Sequence, residues 1–317
     1  MTRCLVTGAA GFIGSHLCEA LLRAGHPVVG VDALTDYYDP AQKRANLDTA
    51  LGMGLRFAQA DLARDSLEAL VAETDVVYHL AGQPGVRPSW GVEFELYATR
   101  NLVATQRLLE ACAASTVRRF VFASSSSVYG NAGEAAVAEG APRRPVSPYG
   151  LTKAACEDLV DVYRRHSGLS AVSLRYFTVY GPRQRPEMAF ASFISRIAAG
   201  LPVTVFGDGA QTRDFTYVAD AVTATIAAST RGDKPWYNVS GGATASLREA
   251  IAEIERATGR AAVIEFAAEA RGDARHTRAN LAAANRDLGY RPTVDLAAGV
   301  PMQVADALET LRLGRAA

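Results

Sequence analysis

The sequence has no excess of charge of either sign, since 33 Lys and Arg balance 33 Asp and Glu over 317 residues. A balanced chain has no broad attraction to nucleic acid or to anionic membranes, so we expect neither as a partner. Long apolar runs are also missing, because none approaches the roughly 20 residues that a membrane span needs. Glycines interrupt the first 14 residues, where a signal peptide would need a continuous apolar core. These absences favour a cytoplasmic location.

Cysteine, histidine and lysine are scarce. Cys4, Cys18, Cys112 and Cys156 form no close C-x-x-C pair, so we expect them to be reduced core or helix residues of a cytosolic protein. The five histidines show no metal-ligand spacing, and no metal site is predicted. Lysine provides only 3 of the 33 basic residues. A lysine that falls at a chemically meaningful spacing is therefore suggestive.

Short apolar runs alternate with amphipathic segments of helix length up to about residue 176. Strands are predicted at 3–7, 27–32, 55–61, 75–81, 118–124 and 170–176. Segments with apolar residues at i, i+3 and i+4 lie between them, at 15–25, 65–73, 98–115 and 149–168. This alternation predicts an α/β fold, a doubly wound parallel sheet with helices on both faces.

Glycine and proline become frequent after about residue 176, and the loops lengthen. The change predicts a first domain over 1–175, to which about 210–240 return, and a smaller C-terminal α/β domain over 176–317 that binds the substrate. Ligands of open α/β sheets bind at the carboxyl ends of the strands. We therefore expect the smaller domain to close over that edge.

Gly8, Gly11 and Gly14 follow the first predicted strand and open the first helix in VTGAAGFIGSHL. Such glycines permit a tight turn and let the backbone approach a pyrophosphate at a helix N-terminus, where free N–H groups favour anions. Asp32 ends the second strand, where a carboxylate can bind an adenosine ribose and would repel a 2′-phosphate, which favours NAD over NADP. Asp61 ends the third strand and either reaches the adenine edge or caps the next helix.

Lys153, one of the three lysines, stands four residues after Tyr149 in SPYGLTKAACE. On a helix these two side chains lie on one face, one turn apart. They either belong to an ordinary amphipathic helix or set a phenol beside a cation so that it can move protons. A free phenol keeps its proton near neutral pH, whereas a nearby ammonium and a cationic nicotinamide both favour the phenolate. Such a phenolate can take the proton of an alcohol hydroxyl while the hydrogen on carbon leaves as hydride.

From residue 1 to about 300, the chain resembles the extended short-chain dehydrogenase/reductase family of sugar-nucleotide epimerases and dehydratases. Seven motifs in order carry the resemblance, at 7–17, 79–87, 101–111, 124–130, 147–157, 175–186 and 205–220. It implies a Rossmann-type NAD-binding domain followed by a sugar-nucleotide-binding domain. It also implies that Tyr149 is the catalytic base, that Lys153 tunes it and binds the ribose, and that Ser125 bridges the sugar hydroxyl to Tyr149. The cofactor-binding residues that it implies are Gly8, Gly11, Phe12, Ile13, Gly14, Asp32, Asp61, Leu62, Leu80, Ala81, Tyr149 and Lys153.

The residues before VYG in SSSSVYG bear on the reaction. Dehydratases and decarboxylase-like members of the family carry acidic residues there, whereas this chain has Ser126 and Ser127. Without a carboxylic acid, elimination is not expected, which leaves re-reduction of a 4-keto intermediate from the opposite face. The stretch RYFTVYGPRQRPEMA, with Thr178 where UDP-galactose 4-epimerases usually have Asn, is similar to that of UDP-glucuronate 4-epimerases. The resemblance therefore implies conversion of UDP-glucuronate to UDP-galacturonate.

The same resemblance implies a set of substrate contacts. The hexuronate carboxylate is assigned to Ser126, Ser127, Thr178 and Arg185, with Arg183 as the competing arginine, the diphosphate to Arg213 and Arg271, and the uridine to Phe206 and Gln211. A 4-keto glucuronate is a β-keto acid, which loses CO₂ when its C–CO₂ bond stands perpendicular to the ketone plane. A guanidinium fork and hydroxyl groups can hold the carboxylate away from that geometry.

The chain departs from the family pattern at three positions. Asn280 in TRAN replaces the usual Asp, and Gly82 and Pro84 stand where Ala is commoner. The other reactions that stay open are UDP-glucuronate decarboxylation and 4-epimerisation of another UDP-sugar. A non-catalytic NAD-sensing protein is a further alternative, although such proteins commonly lose the Tyr or the Lys. The resemblance also implies a homodimer, paired through the apolar faces of helices at about 91–115 and 149–168.

Overall fold

A computed structural model describes residues 1–314 of the chain. The strands in this range are β1 (Cys4–Thr7), β2 (Val28–Asp32), β3 (Arg56–Gln59), β4 (Val76–His79), β5 (Arg119–Ser125), β6 (Ser170–Tyr176), β7 (Val179–Tyr180), β8 (Val203–Phe206), β9 (Thr212–Asp214), β10 (Thr216–Tyr217), β11 (Trp236–Val239), β12 (Thr244–Ser246) and β13 (Ile264–Ala267). The α-helices are α1 (Phe12–Arg23), α2 (Pro40–Gly52), α3 (Glu68–Val71), α4 (Phe94–Tyr97), α5 (Ala104–Ala113), α6 (Pro148–His166), α7 (Ala189–Ala199), α8 (Val218–Ala228), α9 (Leu247–Thr258) and α10 (Leu296–Gly314).

The central sheet has seven parallel strands in the order β3-β2-β1-β4-β5-β6-β11. One face packs on α1, α2 and α8, and the other on α3, α5 and α6, each through a layer of buried apolar side chains. The expected α/β, doubly wound fold is confirmed. Its strand order reverses between β1 and β4, and in such sheets a crevice opens there at the carboxyl ends of the strands.

The chain after β6 forms smaller units beside this sheet. Three pairs of short strands are present: β7 with β10 and β8 with β13, both parallel, and β9 with β12, antiparallel. Helices α7, α9 and α10 pack on one another. However, β11 joins the central sheet beside β6, and α8 packs on α1. Both elements lie in the stretch 210–240 that was expected to return to the first domain, and the domain boundary near 176 stays a prediction.

Two helical regions differ from the sequence expectation. Helix α2 was not predicted, because its sequence is mostly polar and only Lys43, Asn46, Leu47 and Ala50 are buried. The helix predicted over 98–115 is instead a continuous run in which a wider π-type segment, 98–103, precedes α5. Such π-type turns are frequent at functional sites.

All four cysteines are buried and free, as expected of core residues. Burial raises the pKa of Cys4, Cys18 and Cys112 to about 12, so their thiols stay protonated. Within residues 1–314, no helix is both long and apolar enough to cross a membrane. In the same range, no three His, Cys, Asp or Glu side chains gather as metal ligands.

Candidate active site

The turn between β1 and α1 is made of glycines because larger residues would collide there. Gly8 has a φ of +72°, and a Cβ on it would lie 2.8 Å from the backbone nitrogen of Ala81. A Cβ on Gly14 would lie 2.0 Å from the carbonyl oxygen of Gly8. The first turn of α1 therefore packs directly on the loop, which leaves the helix N-terminus open to an anion.

A cavity lies where the strand order reverses, at the carboxyl ends of the central strands. Its wall contains all twelve residues predicted to bind the cofactor, namely Gly8, Gly11, Phe12, Ile13, Gly14, Asp32, Asp61, Leu62, Leu80, Ala81, Tyr149 and Lys153. The wall also contains side chains outside that prediction, among them Tyr37, Tyr38, Lys43, Arg100 and Arg185. The fold thus brings the glycine loop, two acids and the Tyr–Lys pair to one cleft.

Asp32 stands on the rim of this cavity next to the glycine loop. Its carboxylate accepts N–H bonds from Ala10 at 3.2 Å and from Leu34 at 2.8 Å, while burial raises its pKa. Asp61 caps the turn that follows it, since its Oδ1 accepts the N–H of Ala63 at 2.9 Å. Asp61 also lines the cavity, so the capping role does not exclude a cofactor contact.

Tyr149 and Lys153 lie on the first two turns of α6, whose N-terminus is capped by the side chain of Ser147. Lys153 is 7% exposed, and its Nζ donates to the carbonyl oxygen of Ala123 at 2.8 Å. Tyr149 is half-buried, and its ring meets that of Tyr97 edge to face, with the centroids 6.3 Å apart. The ammonium is therefore anchored to the end of β5, inside the same cavity as the phenol.

Asn101, in the π-type segment before α5, links the cavity wall to α6. Its Oδ1 accepts the N–H of Gln83 at 2.7 Å, and its Nδ2 donates to the hydroxyl of Thr152 at 3.0 Å. Thr152 precedes Lys153 in α6. The buried amide thus fixes the distance between the loop after β4 and the helix that carries the Tyr–Lys pair.

His79, at the end of β4, is a structural histidine. Its two ring nitrogens lie 2.7 Å from the hydroxyl of Thr7 and 2.9 Å from that of Thr105. Burial lowers its pKa to about 3, and the charge of Lys153 acts in the same direction. The imidazole is therefore neutral and ties β1 to α5.

The four serines before VYG have separate partners. Ser124 donates to the buried carboxylate of Glu157 at 2.6 Å. Ser125 donates to the hydroxyl of Ser127 at 3.1 Å and accepts the N–H of Ser127 at 3.1 Å. Ser125, Ser126 and Ser127 are half-buried and lie just beyond the described wall of the cavity. Of the four, Ser124 is committed to Glu157, and the next three are available to a ligand.

Arg183 and Arg185 point to different surroundings. Arg183 has a φ of +61°, and its Nη1 lies 2.5 Å from the carboxylate of Glu19 in α1. Arg185 lines the cavity, and its Nε donates to Glu187 at 2.7 Å. Arg183 therefore serves a structural ion pair, and its position gives no support to a substrate contact.

The loop that carries both arginines is held by α10. Gln303 accepts the N–H of Gly181 at 2.9 Å and donates to the side chain of Gln184 at 2.9 Å. Asp306 accepts the N–H of Arg183 at 2.9 Å. Three hydrogen bonds from the last helix thus set the path of the chain after β7.

Four other predicted substrate residues do not line this cavity and form an outer group near Arg87 and Asp273, namely Phe206, Gln211, Arg213 and Arg271. Arg87 donates to Asp273 at 2.7 Å, and its Cζ lies 4.0 Å from the centre of the Phe206 ring. Gln211 donates to the carbonyl oxygen of Phe206 at 2.8 Å, whereas its own buried Oε1 has no partner within residues 1–314.

Two further predicted arginines belong to this outer group. Arg271 places its Cζ 3.8 Å from the centre of the Trp90 ring. Burial lowers the pKa of Arg213, and the positive charge of Arg87 lowers it further. The negative charge of Asp273 partly offsets this decrease. Thr178, just after β6, is half-buried. In the described chain its side chain forms no hydrogen bond to the inner cavity or to the outer group. The outer group is basic and aromatic, as a nucleoside diphosphate site would be.

Sequence reasoning missed Arg87, Arg100, Tyr37 and Glu187. Arg87 was quoted within a motif but given no role, because its partner Asp273 is 186 residues away. Arg100 lies within a predicted helix, where an arginine is ordinarily solvent-exposed. Arg87 and Arg100 each lie beside a loop that was predicted to bind a ligand. Only the fold reveals this proximity.

The side chains of the inner cavity fit a dinucleotide. The glycine loop offers a helix N-terminus, Asp32 offers an acceptor for ribose hydroxyls, and Arg100 adds a cation. The hydroxyl of Tyr38 is buried in the wall and has no hydrogen-bond partner in the described part of the chain. A polar ligand would satisfy that group, since buried hydroxyls are nearly always hydrogen-bonded.

Comparisons with known proteins agree with this geometry. The model of the NAD dependent epimerase/dehydratase family matches residues 4–240. A Bacillus subtilis (strain 168) protein named "Uncharacterized UDP-glucose epimerase YtcB" is 43% identical, over 95% of this chain and 96% of that protein. The UDP-glucuronate 4-epimerase of Thermodesulfobacterium geofontis (strain OPF15) is 35% identical, over 98% of this chain and 97% of that one.

Among solved structures, the UDP-glucuronic acid 4-epimerase from Bacillus cereus, in complex with UDP-glucuronic acid and NAD, is 41% identical, with a TM-score of 0.93. The match covers 97% of this chain and 99% of that one. The resemblance carried by the seven motifs is confirmed. The chain belongs to the NAD-dependent epimerase/dehydratase family, and its cofactor is NAD.

Proposed function

We propose that this protein is a UDP-glucuronate 4-epimerase that forms UDP-galacturonate. The observation that carries the proposal is that Arg185 lines the same cavity as Tyr149 and Lys153. A sugar whose C4 hydroxyl meets Tyr149 would then have a guanidinium near the substituent on C5. A carboxylate is the substituent that a guanidinium binds best. The names of the similar proteins from Thermodesulfobacterium geofontis and Bacillus cereus support this substrate.

Tyr149 acts as the base that removes the proton from the C4 hydroxyl, with Ser125 as the bridge between them. Lys153 is anchored to the carbonyl oxygen of Ala123 and is nearly buried, so its charge acts on the phenol with little screening by water. The glycine loop, Asp32 and Lys153 would hold NAD, which would supply the hydride chemistry at C4, with removal from one face and return to the opposite face. Tyr149 then gives its proton back to the C4 oxygen, which completes the inversion.

The hexuronate carboxylate is held while C4 is a ketone. The residues that hold it are Arg185, Ser126, Ser127 and Thr178. In that state the sugar is a β-keto acid, and it keeps its CO₂ only if the C–CO₂ bond stays near the ketone plane. The three hydroxyls offer directional hydrogen bonds, and the guanidinium offers a planar pair of donors. The chain has no carboxylic acid just before VYG, so the machinery for elimination is missing from that position.

The UDP group binds in the outer group of side chains. Arg87, Arg213 and Arg271 supply positive charge for the diphosphate, and Phe206 supplies an aromatic surface for the uracil. The free Oε1 of Gln211 suits the N3–H of uracil, which is a donor. This assignment adds Arg87 to the residues expected from the sequence.

A 4-epimerase of a neutral UDP-sugar is the second candidate. The name of the Bacillus subtilis relative, a UDP-glucose epimerase, favours it. A UDP-glucuronate decarboxylase is a third outcome. Turnover of UDP-glucuronate or of a neutral UDP-sugar alone separates the first two candidates. A product lighter by CO₂ identifies the third.

The test is incubation of the purified protein with UDP-glucuronate, without added NAD, followed by chromatography and mass analysis of the nucleotide sugars. We expect UDP-galacturonate of unchanged mass, formed with the NAD that the protein retains. The Tyr149→Phe variant is expected to lose turnover while it keeps NAD. A wild-type enzyme that leaves UDP-glucuronate unchanged, or that turns over only UDP-glucose, would refute the proposed substrate. Full activity in Tyr149→Phe would remove Tyr149 as the base.

We also propose that the enzyme is a cytoplasmic homodimer. Helices α5 and α6 pack side by side, and their outer faces expose Leu151 and Val162, with Val103 just before α5. Leu151 and Val162 are eleven residues apart, which returns them to one stripe of α6. Apolar stripes of this kind support a four-helix interface between two copies.

A further inference from the structure

Arg185 is bound by only one edge of its guanidinium. Its Nε donates to Oε1 of Glu187 at 2.7 Å, whereas within residues 1–314 its two Nη atoms have no hydrogen-bond acceptor. A guanidinium can meet a carboxylate side-on, through Nε and one Nη, or end-on, through both Nη atoms. With Nε occupied, the end-on edge is the one that stays available to a ligand.

Glu187 lies next to the cofactor side of the cavity as well. Tyr37, on the loop after β2, lines the cavity together with Arg185 and Tyr149. Burial raises the pKa of Tyr37 to about 12, the negative charge of Glu187 adds to the rise, and Arg185 opposes it. Glu187 therefore acts electrostatically on Tyr37 as well as on Arg185, and both of these side chains line the cavity.

We propose that Glu187 is a positioning residue that holds Arg185 by Nε, so that both Nη atoms grip the hexuronate carboxylate end-on. This inference rests on the proposed function. A freely rotating arginine would still attract the carboxylate, but it would not fix the direction of the C5–carboxyl bond relative to the ketone. The orientation matters at one stage only, when C4 is a ketone and the angle between the C5–carboxyl bond and the ketone plane decides whether CO₂ is retained.

The side reaction that a loose Arg185 permits is defined chemically. The bond from C5 to the carboxyl carbon breaks, CO₂ leaves, and the electron pair of that bond passes into the C4 ketone to give an enolate. C5 then takes up a proton from water, which yields a UDP-4-keto-pentose. The mass of the nucleotide sugar falls by that of CO₂, so the leak can be counted directly against the epimer.

The experiment compares wild type, Glu187→Ala and Glu187→Gln on UDP-glucuronate, with the ratio of CO₂-free product to UDP-galacturonate as the readout. We expect Glu187→Ala to raise this ratio about tenfold or more and to lower kcat more than it raises KM, since small misplacements of a positioning group cost this much. Glu187→Gln keeps an acceptor for Nε and is expected to lie between wild type and Glu187→Ala. Glu253→Ala is the control, because it removes the carboxylate of another surface pair, with Arg256 in α9.

The outcomes separate the two proposals. If wild type makes no UDP-galacturonate, the proposed function fails before any variant is considered. If wild type is active but Glu187→Ala keeps its product ratio, the positioning role of Glu187 is overturned. Thermal unfolding and bound NAD, measured for each variant, identify any that has lost its fold.

Discussion

Arg100 shows how a single residue can differ from its neighbours in the cavity wall. Its Nη1 donates to the neutral amide oxygen of Gln83 at 2.8 Å. Unlike Arg185, it has no carboxylate within ion-pair distance among residues 1–314. A half-buried guanidinium without an anion is costly, since the desolvated charge lacks compensation. A dinucleotide would bring two phosphate charges into the same cavity.

We therefore expect Arg100→Gln to weaken NAD binding about tenfold, which is what the loss of one charge-assisted hydrogen bond of about 1.5 kcal/mol produces. Calorimetric titration of NAD-free protein with NAD measures this change. Arg107→Gln is the matched control, because Arg107 lies on α5 and donates to the carbonyl oxygen of Asp65 on the exposed surface. Equal affinities for the two variants would contradict a role of Arg100 in binding the cofactor.

At the residue scale, the sequence predicted the residues of the inner cavity better than those of the outer group. The glycines and Asp32 sit at the ends of predicted strands, so the alternation that predicts the sheet also predicts where they meet. Arg183 and Arg185 could not be separated from the sequence, because they are two residues apart in a loop. In the structure Arg183 pairs with Glu19, 164 positions earlier, whereas Arg185 lines the cavity. The catalytic and substrate roles stay predictions until the assays are done.

At the scale of elements, one buried ion pair joins α6 to the central sheet. Nε and Nη2 of Arg175, in β6, donate to the two carboxylate oxygens of Glu157, in α6, at 2.8 and 2.7 Å. Ser124, at the end of β5, donates to the same carboxylate, and Nη1 of Arg175 donates to Tyr129 in VYG. Glu157 is one turn beyond Lys153. The pair therefore fixes the position of the helix that carries Tyr149 and Lys153 relative to the ends of β5 and β6.

Replacing Glu157 by Gln should lower the free energy of unfolding by about 3 kcal/mol, because it leaves the nearly inaccessible charge of Arg175 unpaired. Urea denaturation at saturating NAD measures the loss. The control is Asp158→Asn, which removes the exposed partner of Arg143 and should cost less than about 1 kcal/mol. If both variants unfold at the same urea concentration, the buried pair does not hold the helix as described.

The elements that could be predicted are those with a strong pattern. The strands of the first half are short, apolar and bounded by turn residues, so their positions were expected to within about two residues. Helix α2 lacked an apolar stripe and was missed. The strands β7, β9, β10 and β12 have only two or three residues each, too few to show any period. Their pairing is decided by the helices and loops around them.

At the scale of the whole molecule, the apolar stripe on α6 predicts a dimer. We expect the wild type to be dimeric by light scattering, and the double variant Leu151→Arg and Val162→Arg to be monomeric, because two charges would be buried in the interface. Leu201→Arg, which changes an exposed leucine after α7, should leave the dimer intact. A monomeric wild type, or a dimeric double variant, would refute the proposed interface.

The three hydrogen bonds from Gln303 and Asp306 to the loop after β7 have a consequence for biosynthesis. The glycine loop and its neighbouring strands β1 to β4 are complete once His79 has been translated. The loop after β7, in contrast, receives these hydrogen bonds only after Gln303 and Asp306 have been translated. A nascent chain that stopped just before Gln303 would contain every residue of the cofactor cavity. It would still lack the hydrogen bonds that hold the loop carrying Arg185. The order of translation thus places the support of the loop that carries Arg185 after the residues of the cofactor cavity.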